Sequence, residues 1–479
     1  MGSIGNKTIA GFGWKFFEKI SYQVINLAIQ IVLARILMPD DYGIIALLAI
    51  FMAIGDTFIK NGFTTAIIQK NDADSLDLST VFWGNIILSV TLYLILYIAA
   101  PAIALFYKQS NLVDITRVLS FNLVIGGICA VHFAIISKNI EFKKSYIVNL
   151  VNVLIIGLVG ILLALKGYGA WALVFSALCG SFISGIVLFL LVKWHPRFIF
   201  SFDRLRSLFS YSSKVLASNM LNTIFNNIHI LIIGRFFSNA SLAYYQRGQA
   251  LPQSIMNSVD GSFSEVMYPA YSLIQDDKER LIGAIRKALQ MSMFICLPMM
   301  FCLCAMSENL TLILLSEKWV DSVPFMQLSC IICAFWPLST VSHAVNAIGR
   351  SGLTLKINII SKFSILFFII VCIPFGVFAI MVGSLLSSIV MLFISFHYYK
   401  KAVDYGIRNV ISDIKLSFFN AMIAALIIYA ISFLNLNIYL ETIFQLLTGI
   451  SCYWVFSVLT SNSAYYAIES ILKQKLLHK

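Results

Sequence analysis

Charge is what this chain has least of: Asp, Glu, Lys and Arg together make up 12% of its 479 residues, about half the share found in ordinary soluble domains. With 59% hydrophobic residues, a water-soluble globule is excluded and a polytopic membrane protein is implied. Nucleotide chemistry lacks its signatures. There is no Walker-type phosphate loop and no nucleophile elbow, so ATP is not a direct energy source. The nine cysteines lie almost wholly inside apolar segments, where they act as small hydrophobes. Neither Cys330/Cys333 nor Cys302/Cys304 has a second ligand set at zinc spacing, so no disulfide framework, metal or resident cofactor is expected. Met1 to Lys7 lacks a signal-peptide cleavage pattern and Asn6 breaks the myristoylation pattern, so the first helix is expected to be retained. Long outer connections are missing too, which speaks against the extracytoplasmic catalytic loop of a membrane polymerase or glycosyltransferase and points to a non-enzyme.

What is present is a series of apolar runs of the length that crosses about 30 Å of hydrocarbon. Fourteen are expected, in an all-α polytopic fold: 10–37, 42–66, 80–106, 113–136, 146–166, 168–192, 212–237, 249–273, 286–306, 323–347, 357–374, 376–399, 415–434 and 438–460. Their connections carry a repeated charge bias. With the N-terminus inside, inner segments hold 23 of the 34 lysines and arginines and outer connections hold 7, which predicts two cytoplasmic termini in the inner membrane. The net charge of +12 is then chiefly a topology signal, with attraction to anionic membrane lipids as a by-product. Dispersed over many loops, these charges form no basic domain, and nucleic acid is not an expected partner.

The first hairpin, Tyr22 to Lys70, breaks only at Ala34-Arg-Ile-Leu-Met-Pro-Asp-Asp-Tyr-Gly43, where Pro39, the two aspartates and Gly43 favour a turn. Lys19, Tyr22, Asn26 and Gln30 recur at helical spacing, so they share one face of the first span, and Lys15 lies one turn before them. A polar stripe on a membrane helix faces protein or water. Asp56 and Lys60 follow in the second span at i and i+4, at a depth where each needs a partner. Antiparallel pairing of the first two spans puts Lys60 level with Glu18. Two hundred positions on, Asn222, Asn226, Gly234 and Arg235 repeat Tyr22, Asn26, Ala34 and Arg35, and in the next span Met256-Asn-Ser-Val-Asp260 echoes Met52-Ala-Ile-Gly-Asp56. Span seven thus repeats span one. Six spans is an even number, so the halves share an orientation, with the substrate path between them. The expected organisation is a six-helix bundle at 1–192, a cytoplasmic linker at 193–211, a second six-helix bundle at 212–399, and an added helix pair with a tail at 400–479. Asn219, Asn222, Asn226 and His229 form the second polar stripe. Asp56 and Asp260 occupy equivalent places, with Glu265 about one turn beyond Asp260, and these carboxyls are the candidates for binding a coupling proton or sodium ion.

Several runs in order carry a family resemblance: Leu33-Ala-Arg-Ile-Leu-Met-Pro-Asp-Asp-Tyr-Gly43, Ala66-Ile-Ile-Gln-Lys70, Ser79-Thr-Val-Phe-Trp-Gly-Asn85, Gly234-Arg-Phe-Phe, Leu242-Ala-Tyr-Tyr-Gln-Arg247 and Tyr268-Pro-Ala-Tyr-Ser-Leu-Ile-Gln-Asp-Asp277. The chain resembles the polysaccharide transporter family of the multidrug/oligosaccharidyl-lipid/polysaccharide flippase superfamily, in its lipopolysaccharide and exopolysaccharide flippase branch. Ala243 and Phe237-Ser-Asn239 depart from that branch at two turns. The resemblance implies two six-helix bundles opening alternately to either side and a lipid-linked, undecaprenyl-pyrophosphate oligosaccharide as cargo, with polymerase and glycosyltransferases of one pathway as partners. For such a cargo, Lys15, Lys19, Lys60 and Lys362 offer charge to phosphate, while Asn26, Gln30, Asn219, Asn222, Asn226 and His229 offer polar contacts to sugar and Tyr22 a ring to stack. A cation-coupled multidrug exporter of the same superfamily is the competing expectation.

Overall fold

The computed structural model describes residues 21–466 and Glu469, apart from 71 and 435; the side chains of 210, 211, 262, 264 and 265 lie outside the description. All regular structure among the described residues is helical. α1 (Ser21–Ile36) gives way to α2 (Pro39–Asn61) at a proline, which suits a first helical turn because no amide is needed there. Asp41 accepts from the Met38 amide at 3.0 Å and steadies that turn. α3 (Thr64–Gln69) prolongs the same span. α4 (Ser75–Tyr107) opens on a reciprocal capping box: Asp74 accepts from the Asp77 amide at 2.8 Å, and Asp77 accepts from the Asp74 amide at 3.3 Å. α5 (Leu112–Lys138), α6 (Phe142–Leu165), α7 (Ala170–Leu191), α8 (Phe202–Phe236) and α9 (Asn239–Leu273) follow. The chain forms two compact units that divide between Ala243 and Tyr244, within α9.

In the first unit α1, through Ile29 and Leu33, and Leu37 just beyond it pack on Val153 and Ala164 of α6 and Ala172 of α7. Gly157 leaves the room that Ile29 fills, because helices in lipid associate by close packing at small residues. α8 lies antiparallel along α2. Thr57 and Thr223 meet at 2.9 Å, Gly234 sits against Leu47 and Tyr107, and Gly43 sits against the backbone of Asn239. A side chain at Gly43 would collide with that backbone, which is the physical demand behind this glycine; Pro39 to Gly43, expected as a turn, form the opening of α2 instead.

The second unit continues α9 and adds α10 (Lys278–Ala305), α11 (Ser307–Leu314), α12 (Val323–Ala334), α13 (Thr340–Ala347), α14 (Ser351–Cys372), α15 (Val377–Val403), α16 (Ile407–Ile431) and α17 (Ile438–Leu459). α10 is its central helix, burying Leu281, Ile285, Leu289, Met293, Cys296 and Met300 along one face, and α16 packs along it.

Twelve described helical stretches are long and apolar enough to cross a membrane, and they correspond to expected spans two to seven and nine to fourteen. The count of fourteen is not reached among the described residues, for two different reasons. α1 is described only from Ser21. α9 is 35 residues long but interrupts its apolar face with Gln246, Arg247, Gln249, Gln253, Asn257 and Asp260. The tenth expected span, 323–347, is present but carries a break: α12 ends at Ala334, Trp336–Ser339 forms a 3-10 turn, and α13 resumes at Thr340. Pro337 in that turn is the cause, since it has no amide to continue the helix.

Candidate functional site

Thr57 is almost wholly buried, and its hydroxyl donates to the Ala53 carbonyl at 2.7 Å while meeting Thr223. That contact ties together two polar faces the sequence could assign only separately. On α2, Asp56 and Lys60 flank Thr57 and pair with each other at 3.0 Å, with side chains 48% and 70% exposed. On α8, Asn219, Asn222, Asn226 and His229 flank Thr223; Asn222 and Asn226 are exposed, Asn219 and His229 half-buried. Asn227 turns inward and donates to the Thr223 carbonyl at 2.8 Å. The first unit therefore carries a polar seam of one acid, one ammonium, amides and an imidazole along α2 and α8. Such a seam can hold phosphate through Lys60 and sugar hydroxyls through the amides.

Lys60 pairs with Asp56, one turn away on its own helix; Glu18, which antiparallel pairing sets level with Lys60, lies outside the described residues, as do Lys15 and Lys19. Tyr22 is exposed on α1, while Asn26 and Gln30 are half-buried next to the packing residues Ile29 and Leu33. Asp260 belongs to the second unit. It is half-buried on α9 and accepts from the Ser339 hydroxyl at 2.9 Å, at the turn where α12 and α13 are interrupted. Interrupted helices expose backbone groups and are where transporters commonly hold ions. Glu265 is helical one turn on, with its side chain outside the description.

Three polar clusters escaped the sequence. In the first unit Asp77 is fully buried and accepts from Lys70 Nζ at 2.5 Å and from Arg204 Nη1 at 2.9 Å, while Asp74 lies 3.5 Å from the same guanidinium and Lys138 donates to the Lys70 carbonyl at 2.7 Å. In the second, Asp413 of α16 is nearly buried and accepts from Arg286 of α10 at 3.0 Å, from the Tyr405 hydroxyl at 2.6 Å and from Gln290 at 3.3 Å. Burial and the neighbouring Asp413 carboxylate push the Tyr405 phenol up, so it remains a donor. The third cluster joins Asn309 of α11 to Glu441 at 2.7 Å and to Gln445 at 3.2 Å on α17. Lys70, Arg204 and Arg286 register in the sequence only as loop charges. The Asp-x-x-Asp at residues 74–77 was the one available signal, as a capping box ahead of an apolar run.

Asp77 and Arg286 stand at one sequence offset, and Arg204 and Asp413 at the same offset. Each unit thus has a clasp between its third span and the helix that follows six spans, with the charges exchanged. Beside α17 the second unit also holds a cavity of about 670 Å³, walled mainly by apolar side chains such as Phe294, Pro298, Met299, Leu446 and Trp454.

Residues 32–324 match the model of a family described as polysaccharide biosynthesis protein. The lipopolysaccharide biosynthesis protein WzxC of Escherichia coli (strain K12) is 23% identical over 441 residues, 90% of this chain and 88% of that one. The succinoglycan biosynthesis transport protein ExoT of Rhizobium meliloti (strain 1021) is 23% identical over 358 residues, 73% and 71% of the two chains. Among solved structures, the lipid II flippase MurJ in an inward closed conformation superposes with a TM-score of 0.76 at 16% identity, covering 94% of this chain and 98% of that one. An inward-facing multidrug resistance transporter of the MATE family reaches 0.62 at 14%, covering 81% and 98%. At these identities both likenesses concern the fold.

Proposed function

Because the chain belongs to the polysaccharide biosynthesis protein family, we propose that it is a flippase that moves an undecaprenyl-pyrophosphate-linked oligosaccharide from the cytoplasmic to the periplasmic leaflet by alternating access, for surface polysaccharide assembly. Glycosyltransferases would supply that cargo and a polymerase would consume it. No covalent chemistry is required of the transporter itself. The proposed setting is the bacterial inner membrane, with both termini cytoplasmic.

The observation that carries the reading is the polar seam of α2 and α8. An exposed i, i+4 pair such as Asp56–Lys60 contributes under about 1 kcal/mol, whereas an ionised side chain within a membrane span costs about 2.5–3.5 kcal/mol on insertion scales. Stability therefore gives no reason to keep the pair, and a pyrophosphate cargo that cannot cross hydrocarbon unaided does. Lys60 would meet phosphate, Asn219, Asn222 and Asn226 the sugar hydroxyls, and Tyr22 a sugar face; the apolar cavity beside α17 is suited to hydrocarbon of the lipid carrier. With a drive from protons or sodium ions, Asp260 at the interrupted helix is the coupling group.

The test is glycan export in cells. Lys60→Ala and Asn222→Leu are each expected to cut surface glycan display at unchanged membrane levels of the protein, with drug resistance unaltered. Normal display in both variants would remove the seam from the mechanism.

A further inference from the structure

The segment that leads from α7 into the first turn of α8 has the composition of neither a solvated loop nor a packed one. From Lys193 to Arg206 it reads Lys-Trp-His-Pro-Arg-Phe-Ile-Phe-Ser-Phe-Asp-Arg-Leu-Arg. Phe198 is 92% exposed, Phe202 69% and Phe200 47%. The segment cannot fold over to hide them, because its backbone is pinned to the head of α4. The Arg197 amide donates to Ser79 Oγ at 3.2 Å, the Arg197 carbonyl accepts from Trp83 Nε1 at 2.9 Å, and the Ser201 amide donates to Thr80 Oγ1 at 3.2 Å. Phe198 itself is held over Trp83, stacked at 5.2 Å. The Ser79-Thr-Val-Phe-Trp-Gly-Asn85 run is in effect the seat of this segment.

The charges around the aromatic residues are predominantly positive, four cations against the single exposed carboxylate of Asp203. Arg204 is consumed by Asp77 and Asp74, but Lys193, Arg197 and Arg206 are exposed and make no ion pair among the described residues. Phe202 and Arg206 share a helix face at i and i+4. Apolar helix resumes within a few residues on either side, at Leu191 and at Ser212, so the segment lies at headgroup depth, where aromatic rings sit half in hydrocarbon and cations meet phosphate.

We propose that residues 193–206 form a docking surface for anionic glycerophospholipid of the inner leaflet, with Lys193, Arg197 and Arg206 on headgroup phosphate and Phe198, Phe200 and Phe202 seated among the upper acyl chains. The choice of leaflet rests on the orientation proposed above. Binding measured in detergent is indifferent to orientation, so the two readings fail separately. The experiment counts phosphatidylglycerol bound to the purified full-length protein in neutral detergent, by mass spectrometry of intact complexes, against phosphatidylcholine as reference. Each neutralised cation should weaken phosphatidylglycerol binding about fivefold, and Lys193→Gln, Arg197→Gln and Arg206→Gln together about a hundredfold, with phosphatidylcholine unaffected. Undiminished binding by the triple variant overturns the proposal. So does displacement of the lipid by excess inorganic pyrophosphate, which would assign the cations to the cargo. If the triple variant does not fold, salt decides on the parent protein: affinity that does not fall as ionic strength rises overturns the proposal equally.

Discussion

Asp77 and Asp56 are both carboxylates beside a lysine, yet their surroundings give them opposite roles. Asp77 is fully buried and bonded to two cations, whereas Asp56 is half exposed and bonded to one. Removing a buried acceptor strands its donors, at about 1–3 kcal/mol for each unsatisfied group. Lys70 and Arg204 keep 35% and 40% of their side-chain surface exposed, so water repairs part of that loss. Asp77→Asn is accordingly expected to lower stability by about 2 kcal/mol, and Asp56→Asn by less than about 1 kcal/mol. Unfolding of the two purified variants by denaturant in detergent measures the difference. Equal losses would mean that the Asp77 cluster is not a structural clasp.

At the scale of the element, the interrupted helix α12–α13 matters because it brings Ser339 to Asp260. Asp260→Asn should abolish the response of transport to an imposed proton or sodium gradient in proteoliposomes while leaving cargo binding intact. Ser339→Ala removes one hydrogen bond to Asp260, worth about 1 kcal/mol, and should shift the gradient response about fivefold. A parental response in Asp260→Asn would make the carboxylate structural. The elements were legible in the sequence to unequal degrees. Uniformly apolar spans such as Phe142–Leu165 and Val377–Val403 announce themselves, since length and hydropathy are all a bilayer demands of them. The break at Pro337 did not, because the apolar run continues through it and periodicity does not register a single turn of 3-10 helix. The Asp56–Lys60 pair on α2 and the polar stripe on α8 were readable from spacing. Their meeting at Thr57 and Thr223 was not, because two threonines 166 positions apart carry no pattern.

For the whole molecule, the loop charges commit to one orientation: a reporter fused after Lys479 should report the cytoplasm and one inserted near Lys318 the periplasm. The reverse result would invert every leaflet assignment made above. The exchanged clasps reach further, into how a chain with an internal repeat avoids assembling its own halves wrongly. α8 and α16 follow equivalent six-span sets and emerge from synthesis far apart in time, so each could in principle be captured by the other's seat. Were α16 to land on α4, Asp413 would face Asp77; were α8 to land on α10, Arg204 would face Arg286. Either mistake sets like charges against each other, and like-charge juxtaposition is a deterrent to wrong pairing. Giving both clasps one polarity, with Arg286→Asp and Asp413→Arg, keeps two intact pairs and removes the deterrent. That variant should reach the membrane with a larger protease-sensitive fraction than the parent, and more so when synthesis is fast, which makes the charge exchange an instruction for the order in which the nascent helices find their places.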